Sequence, residues 1–129
     1  MRKITISVIC VTLFSLAACQ QNDLFNDETL TSIEIQKWKD EAEINTIIDE
    51  ALINNLIEEL ESANSSSTSD IDIPNPDYRL LFFNGDRIVQ ELGYYIEEKD
   101  FNGTTGQYID METGNHFGVT AELPIDGNN

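Results

Sequence analysis

Four oxygen-bearing side chains lie within eight residues of one another and could bind a hard cation. Asp70, Asp72, Asn75 and Asp77 offer carboxylate and amide oxygens, which are the ligands that Ca²⁺ takes from proteins. Asp and Asn also serve in ordinary loops, where they accept hydrogen bonds in turns and at strand ends. The sequence therefore leaves two interpretations. One is a metal site formed by Asp70, Asp72 and Asp77, and the other, which we favour, is plain turn chemistry.

Catalytic chemistry finds little support in the residue types. His116 is the only histidine, and nucleophilic triads and histidine-rich metal sites need more partners than one. We expect His116 to lie on a strand beside a turn and to point to solvent. The serines of residues 65–69 lack a Gly-x-Ser-x-Gly elbow. Neighbouring acids such as Glu97 and Glu98 could cleave a glycosidic bond, but we interpret them as a solvated face. We predict no catalytic residue and no cofactor.

Two adjacent aromatic pairs suggest a binding surface. Neighbouring residues of a strand point to opposite faces of its sheet, so Phe82 and Phe83 are separated, and so are Tyr94 and Tyr95. One aromatic of each pair would then lie on the face away from the core. Core packing is the favoured explanation for most of the aromatic residues. Phe83 and Tyr95 remain the candidates for an exposed strip that binds a peptide, a sugar or a protein.

The charge balance excludes some classes of partner. The chain has 24 acidic and 7 basic residues, for a net charge of −17. Such a surface repels the phosphate backbone of nucleic acids and the headgroups of anionic lipids. We therefore expect no nucleic-acid partner, and any membrane association needs a hydrophobic anchor.

The first 18 residues are typical of a secretory signal peptide. Arg2 and Lys3 precede the uncharged run Ile4 to Ala18, which is shorter than the roughly 20 residues that a spanning helix needs. The following Leu16-Ala17-Ala18-Cys19 resembles the lipobox of bacterial lipoproteins. The alternatives are an ordinary signal peptide that leaves a free thiol, and an uncleaved N-terminal anchor.

The lipobox resemblance implies a membrane anchor. The chain would be cut before Cys19, and the thiol of Cys19 would receive a diacylglycerol with acyl chains such as palmitate. Two acyl chains suffice for stable anchoring. Cys10 would be removed with the leader, so the mature domain would hold no disulfide. The protein would then lie on the extracytoplasmic face of the cell membrane, at the cell envelope.

The pattern of the mature chain predicts a strand followed by a helix. Partial alternation favours a first strand at residues 31–37. Asp40 is a good N-cap with Glu43 three residues later, so we predict a helix that runs to about Ala63. Its two halves carry apolar stripes that differ by roughly 140°. Either the helix breaks near residues 54–55, or its second half is buried on another side, against the domain or a partner.

The second half of the chain predicts strands joined by short turns. Residues 64–69 are polar and are predicted as a loop. Asn84-Gly85 predicts a type I′ hairpin between residues 78–83 and 87–97, and residues 107–112 and 116–120 form the next two strands. The predicted fold class is α+β, in the order β-α-β-β-β-β. It has one antiparallel sheet of about five strands with a helix, intact or broken, packed on one face. The predicted boundaries are a signal peptide at 1–18, the lipidated cysteine and a short tether at 19–28, a single domain at 29–123 and a flexible tail at 124–129.

The segment Ile73-Pro74-Asn75-Pro76-Asp77-Tyr78-Arg79-Leu80, the hairpin and the later Tyr108-Ile109-Asp110 are similar to small uncharacterised lipoproteins of low-GC Gram-positive bacteria. In these proteins a lipobox leader precedes a strand, a helix, a Pro-Asp-Tyr segment and a β-meander. The resemblance covers most of residues 19–123 and implies a cell-surface location, but it brings no known activity. We therefore expect a non-enzymatic binding or interaction module with an envelope protein or peptide as partner. The alternatives are a calcium-dependent structural or sensing domain and, less favoured, a small envelope enzyme.

Overall fold

The protein is described by a computed structural model that covers residues 22–125. Residues 1–21, with the predicted leader and Cys19, and residues 126–129 of the predicted tail lie outside the described part. The described chain forms seven strands and one helix. These elements are β1 (Ser32–Lys37), β2 (Glu43–Ile47), α1 (Glu50–Ser62), β3 (Ser65–Ser67), β4 (Tyr78–Asn84), β5 (Arg87–Phe101), β6 (Thr104–Asp110) and β7 (Asn115–Phe117).

All seven strands belong to one antiparallel sheet in the order β2-β1-β4-β5-β6-β7-β3. The predicted α+β fold, with five strands and a helix packed across one face, is therefore wrong. The described part is mostly sheet, and its single helix has only 13 residues. The prediction failed because two segments that it assigned to a helix and a loop are strands at the two edges of the sheet.

The first of these edge strands is β2, which the sequence predicts as the start of the helix. Its β-branched residues pair with β1, with Ile47 opposite Ile33. Asp40 caps a turn instead of a helix, since its carboxylate accepts a hydrogen bond from the backbone N–H of Ala42 at 3.1 Å. The N-cap of α1 is Asp49, whose side chain accepts from the N–H groups of Ala51 and Leu52. The two apolar stripes differ in direction because the segment predicted as one helix consists of β2 followed by α1.

The second edge strand is β3, which lies inside the predicted loop of residues 64–69. Its three serines pair with β7, and the hydroxyl of Ser66 donates to the carbonyl of Phe101 at 3.0 Å. Serine is a poor indicator of a strand because its hydroxyl also suits turns. The pairing partner, which is distant in sequence, decides the outcome here.

The predicted hairpin is confirmed as β4 and β5, which pair in antiparallel register up to Asn84 and Arg87. The turn type differs from the prediction. The two turn residues are Gly85 and Asp86, and of these only Gly85 has a positive φ, at 64°. A positive φ at the first central position alone is the feature of a type II′ turn, whereas type I′ needs it at both.

The main core covers one face of the sheet, which we call the core face. Alternate strand residues such as Ile33, Leu80 and Phe82 lie there, together with Ile53, Leu56 and Leu60 of α1. Two terminal segments contribute as well, through Phe25, Val119 and Leu123. The opposite face, which we call the outer face, carries a smaller buried set of Leu81, Tyr95 and Ile109.

The residues predicted as a tether belong to the packed domain from Asn22 onward. Phe25 is only 1 % exposed, and its ring lies 4.9 Å from that of Phe82 between centroids. The side chain of Asn22 donates to the carbonyls of Leu60 and Ala63 at the end of α1. The last carbonyls of a helix have no N–H groups of a following turn to accept from. Asn22 donates to two carbonyls here, one of which, that of Leu60, also accepts from the N–H of Ala63. Asn22 therefore fixes the start of the described chain to this helix end.

Candidate functional site

A wide bulge in β5 shapes the outer face. Tyr94 pairs with Tyr108 and Lys99 pairs with Gly106, so residues 95–98 of β5 stand opposite the single residue Gln107 of β6. Such an insertion leaves backbone groups without their ladder partners. The buried amide of Gln107 replaces those partners. Its Nε2 donates to the carbonyl of Ile96 at 2.9 Å and lies 3.2 Å from both the carbonyl of Tyr95 and the hydroxyl of Tyr94.

The segment between β3 and β4 crosses the outer face and is fixed to the bulge. The hydroxyl of Tyr95 donates to the carbonyl of Pro74 at 2.6 Å. The carboxylate of Asp77 accepts from the N–H of Ile96 at 2.8 Å. Pro76 lies directly over Gly93, where a Cβ would come within 2.4 Å of the Cγ of Pro76. Gly93 therefore permits the close approach of this segment to the sheet.

The crossing segment forms one wall of a groove of about 440 Å³. Trp38, which immediately follows β1, stands on this groove, and its backbone N–H donates to the carbonyl of Asp77 at 3.1 Å. We call this site the Trp38 groove and define it by its lining residues, Lys37, Trp38, Lys39, Asn75, Pro76, Asp77, Tyr78 and Ile96. A second groove of about 340 Å³ also borders Trp38 and is lined by acidic residues, among them Glu91, Asp110 and Glu112.

Arg79 supports the indole of Trp38 from the sheet. Its guanidinium carbon lies 4.3 Å from the centroid of the Trp38 ring, a cation–π contact. The Nε of Arg79 donates to Glu91 at 2.9 Å, and its Nη1 lies 3.8 Å from the carboxylate of Glu41. The Nη1 atom is buried and makes no hydrogen bond within residues 22–125. Arg79 therefore contacts the ring of Trp38 while it forms ion pairs with Glu91 and Glu41.

The three acids predicted as a metal site are not brought together as ligands. Asp77 lines the Trp38 groove, and its carboxylate already accepts the Ile96 hydrogen bond. Asp70 and Asp72 are exposed in the preceding segment. Within residues 22–125 no group of three His, Cys, Asp or Glu side chains is arranged to hold a metal ion.

The predicted aromatic surface residues have different surroundings. Tyr95 lies on the outer face as expected, but it is only 1 % exposed because the crossing segment covers it. Burial raises the pKa of Tyr95 to about 12, so its hydroxyl stays protonated and keeps donating to Pro74. Phe83 is half-buried at the end of β4. Neither residue lines the Trp38 groove.

His116 is buried, so the expectation that it points to solvent is wrong. Its relative exposure is 0 %, its ring lies 4.7 Å from that of Phe101, and its Nε2 donates to the carbonyl of Gly106 at 3.0 Å. Burial lowers the pKa of His116, which favours the neutral imidazole. The Nδ1 atom is buried without a hydrogen-bond partner in the described part of the chain. We therefore assign His116 to the packing between β6 and β7.

Neither a protein-family model, nor a curated protein, nor a solved structure matches this chain. The described part of the chain also contains no helix that is long and apolar enough to span a membrane.

The sequence analysis missed Trp38 and its two lysine neighbours. A signal was present in Lys37-Trp38-Lys39, since the chain has one tryptophan and only seven basic residues. Two of those basic residues flank the single tryptophan. What the sequence could not supply was the return of the crossing segment over Gly93, because this contact joins distant parts of the chain.

Proposed function

We propose that this protein is a lipid-anchored binding module on the extracytoplasmic face of the cell membrane, with the Trp38 groove as its binding site. The observation that carries the binding role is the groove itself. It combines apolar walls from Trp38, Pro76 and Tyr78 with a few charged and amide side chains. Binding sites for small ligands are concave and mostly apolar, with a small number of polar groups that fix orientation.

The leader supports the anchored location. Residues 1–18 have the pattern of a secretory signal peptide. The last three of them form the lipobox-like motif Leu16-Ala17-Ala18-Cys19 together with Cys19. Asn22, three residues after Cys19, is fixed to the carbonyls at the end of α1. An extended chain spans about 3.3–3.6 Å per residue. A lipid on Cys19 would thus hold the end of α1 within roughly 10 Å of the anchor.

The histidine of the chain and the acid that lines the groove are both engaged in holding the fold. The chain has one histidine, His116, and it is fully buried in the packing of β6 and β7. The carboxylate of Asp77, the one acid that lines the groove, is engaged with the backbone of the bulge. No contact in residues 22–125 specifically favours the calcium-dependent or the enzymatic alternative.

The anchor is tested by fractionating cells that express the native chain in the presence of labelled palmitate. The native protein is expected in the membrane fraction with the label. Cys19→Ala is expected to lose both the label and the membrane association. Cys10→Ala is the matched control, since it removes the other thiol of the chain, and it is expected to behave as the native protein does.

A native protein that is released without label would contradict the anchored location. If the native chain and Cys19→Ala were labelled equally and Cys10→Ala lost the label, the lipid would be attached to Cys10. That result would contradict the assigned cleavage site.

A further inference from the structure

We propose that the Trp38 groove binds an acidic sugar chain in which every second sugar carries a carboxylate. This inference rests on the proposed function of the groove as the binding site, and it adds the chemical class of the ligand.

Positive charge is concentrated around Trp38. Residues 22–125 contain five basic residues, and three of them, Lys37, Lys39 and Arg79, lie at this site. Arg79 is already paired with Glu91. Lys37 and Lys39 are exposed on the groove and form no ion pair with the described residues. On a chain with a net charge of −17, two ammonium groups that line one groove and form no ion pair with the described residues make a local site for carboxylates.

Three carboxylates that line the groove or follow Lys39 in sequence make contacts within the protein. Asp77 accepts from the N–H of Ile96, Asp40 accepts from the N–H of Ala42, and Glu41 lies 3.8 Å from Nη1 of Arg79. The lining of the groove itself carries two cations against one carboxylate. A ligand with isolated carboxylates therefore fits better than a dense polyanion. The remote acids of the domain are screened over about 8 Å at physiological ionic strength.

The walls of the groove suit sugar rings. Trp38 and Tyr78 offer flat apolar surfaces, and aromatic side chains combine apolar area with a polar tip. Asn75 adds an amide that can donate to and accept from hydroxyl groups. A volume of about 440 Å³ lies within the range of small-ligand sites, so the groove has room for a short stretch of a sugar chain.

The test uses the full-length protein in detergent with a hyaluronan oligosaccharide, in which a carboxylate occurs on every second sugar. The controls are a neutral chitin oligosaccharide of the same length and an acidic peptide of equal charge. Trp38 is the only tryptophan, so its fluorescence reports on the groove, and calorimetry gives the affinity. The acidic oligosaccharide is expected to shift the Trp38 emission and to bind at least about tenfold more tightly than the neutral one.

Two double variants locate the contact. Lys37→Gln with Lys39→Gln removes both free cations and is expected to weaken binding about tenfold or more. Arg87→Gln with Lys99→Gln makes the same change of charge outside the groove lining and is expected to leave the affinity unchanged. All four substituted side chains are at least partly exposed, so both variants keep the packed core.

The outcomes separate the ligand class from the binding role. If the acidic peptide shifts the Trp38 emission and neither oligosaccharide does, the sugar assignment is wrong while the groove remains the binding site. If both double variants weaken hyaluronan binding equally, the attraction is general and the proposal is wrong. If no probe changes the Trp38 emission or releases heat, the binding role of the groove falls together with this inference.

Discussion

Replacing Gln107 with leucine tests how the outer face is built. The amide of Gln107 serves the bulge of residues 95–98, where it approaches the carbonyls of Tyr95 and Ile96 and the hydroxyl of Tyr94. Leucine has a similar size but no donor. A buried acceptor that loses its partner costs about 1–3 kcal/mol. Because the carbonyl of Ile96 is only partly buried, we expect the free energy of unfolding to fall by about 2–4 kcal/mol.

The measurement is urea unfolding followed by Trp38 fluorescence and circular dichroism. With a slope of about 2 kcal/mol/M for a small domain, the midpoint should fall by about 1–2 M urea. Gln107→Glu should be at least as harmful, since an ionised carboxylate has no donor and would face the same oxygens. The matched control is Gln36→Leu. The amide of Gln36 donates to the side chain of Glu34, so we expect its loss to stay within about 0.5 kcal/mol.

A loss for Gln107→Leu no larger than that for Gln36→Leu would refute this reasoning. It would mean that water satisfies the bulge carbonyls as well as the glutamine does, and that the bulge is not fixed by this side chain.

Three further predictions concern the crossing segment, the buried histidine and the N-terminal segment. Gly93→Ala places a Cβ against Pro76 and should displace the crossing segment. The displacement would be seen as a shift of Trp38 emission to shorter or longer wavelength and as faster proteolysis within residues 69–77. Unchanged emission and proteolysis would refute the close approach of Pro76 to Gly93. Burial lowers the pKa of His116, so below about pH 6.5 the unfolded chain binds a proton that the folded chain does not. The free energy of unfolding should therefore decrease as the pH is lowered, by up to about 1.4 kcal/mol per pH unit. His116→Asn should lose this component, and equal pH slopes in urea unfolding of the two proteins would contradict it. Phe25→Ala should lower the free energy of unfolding by about 3–5 kcal/mol, as measured by thermal unfolding. A loss below about 1 kcal/mol would mean that residues 22–28 act as a tether and do not pack on the domain.

The sequence predicted the hairpin because its signals are local. An apolar run, a glycine that permits a positive φ and a return strand occur within residues 78–97, and β4 and β5 form there. Even so, the turn is centred on Gly85-Asp86, one residue later than predicted. A shift of one residue leaves the hairpin in place and changes only the turn type.

The edge strands were missed because their pairing is not local. Ile44 and Ile47 are three residues apart, a helical spacing, but residues 43–47 form a strand because β1 supplies a partner for Ile47. Ser65–Ser67 carries almost no strand signal and becomes β3 only beside β7. Short apolar or polar segments are ambiguous in this way until their partners are known.

The candidate site shows the same limit. The aromatic argument selected Tyr95 for the outer face, and Tyr95 does point there, but the crossing segment covers it. That cover depends on Pro76 fitting over Gly93, a contact between residues that have no shared sequence pattern. The same contact creates the wall opposite Trp38, so the burial of Tyr95 and the formation of the Trp38 groove have one cause.

The location of binding is tested most directly by following backbone and side-chain amide signals of the ¹⁵N-labelled full-length protein as the hyaluronan oligosaccharide is added. We expect the largest shifts at the indole N–H of Trp38, at Lys39 and at the amide of Asn75, which line one groove. We expect little change on the exposed face of α1, for instance at Asn54. Shifts centred on α1 or on Ile88, with Trp38 unmoved, would contradict the assignment of the Trp38 groove as the binding site.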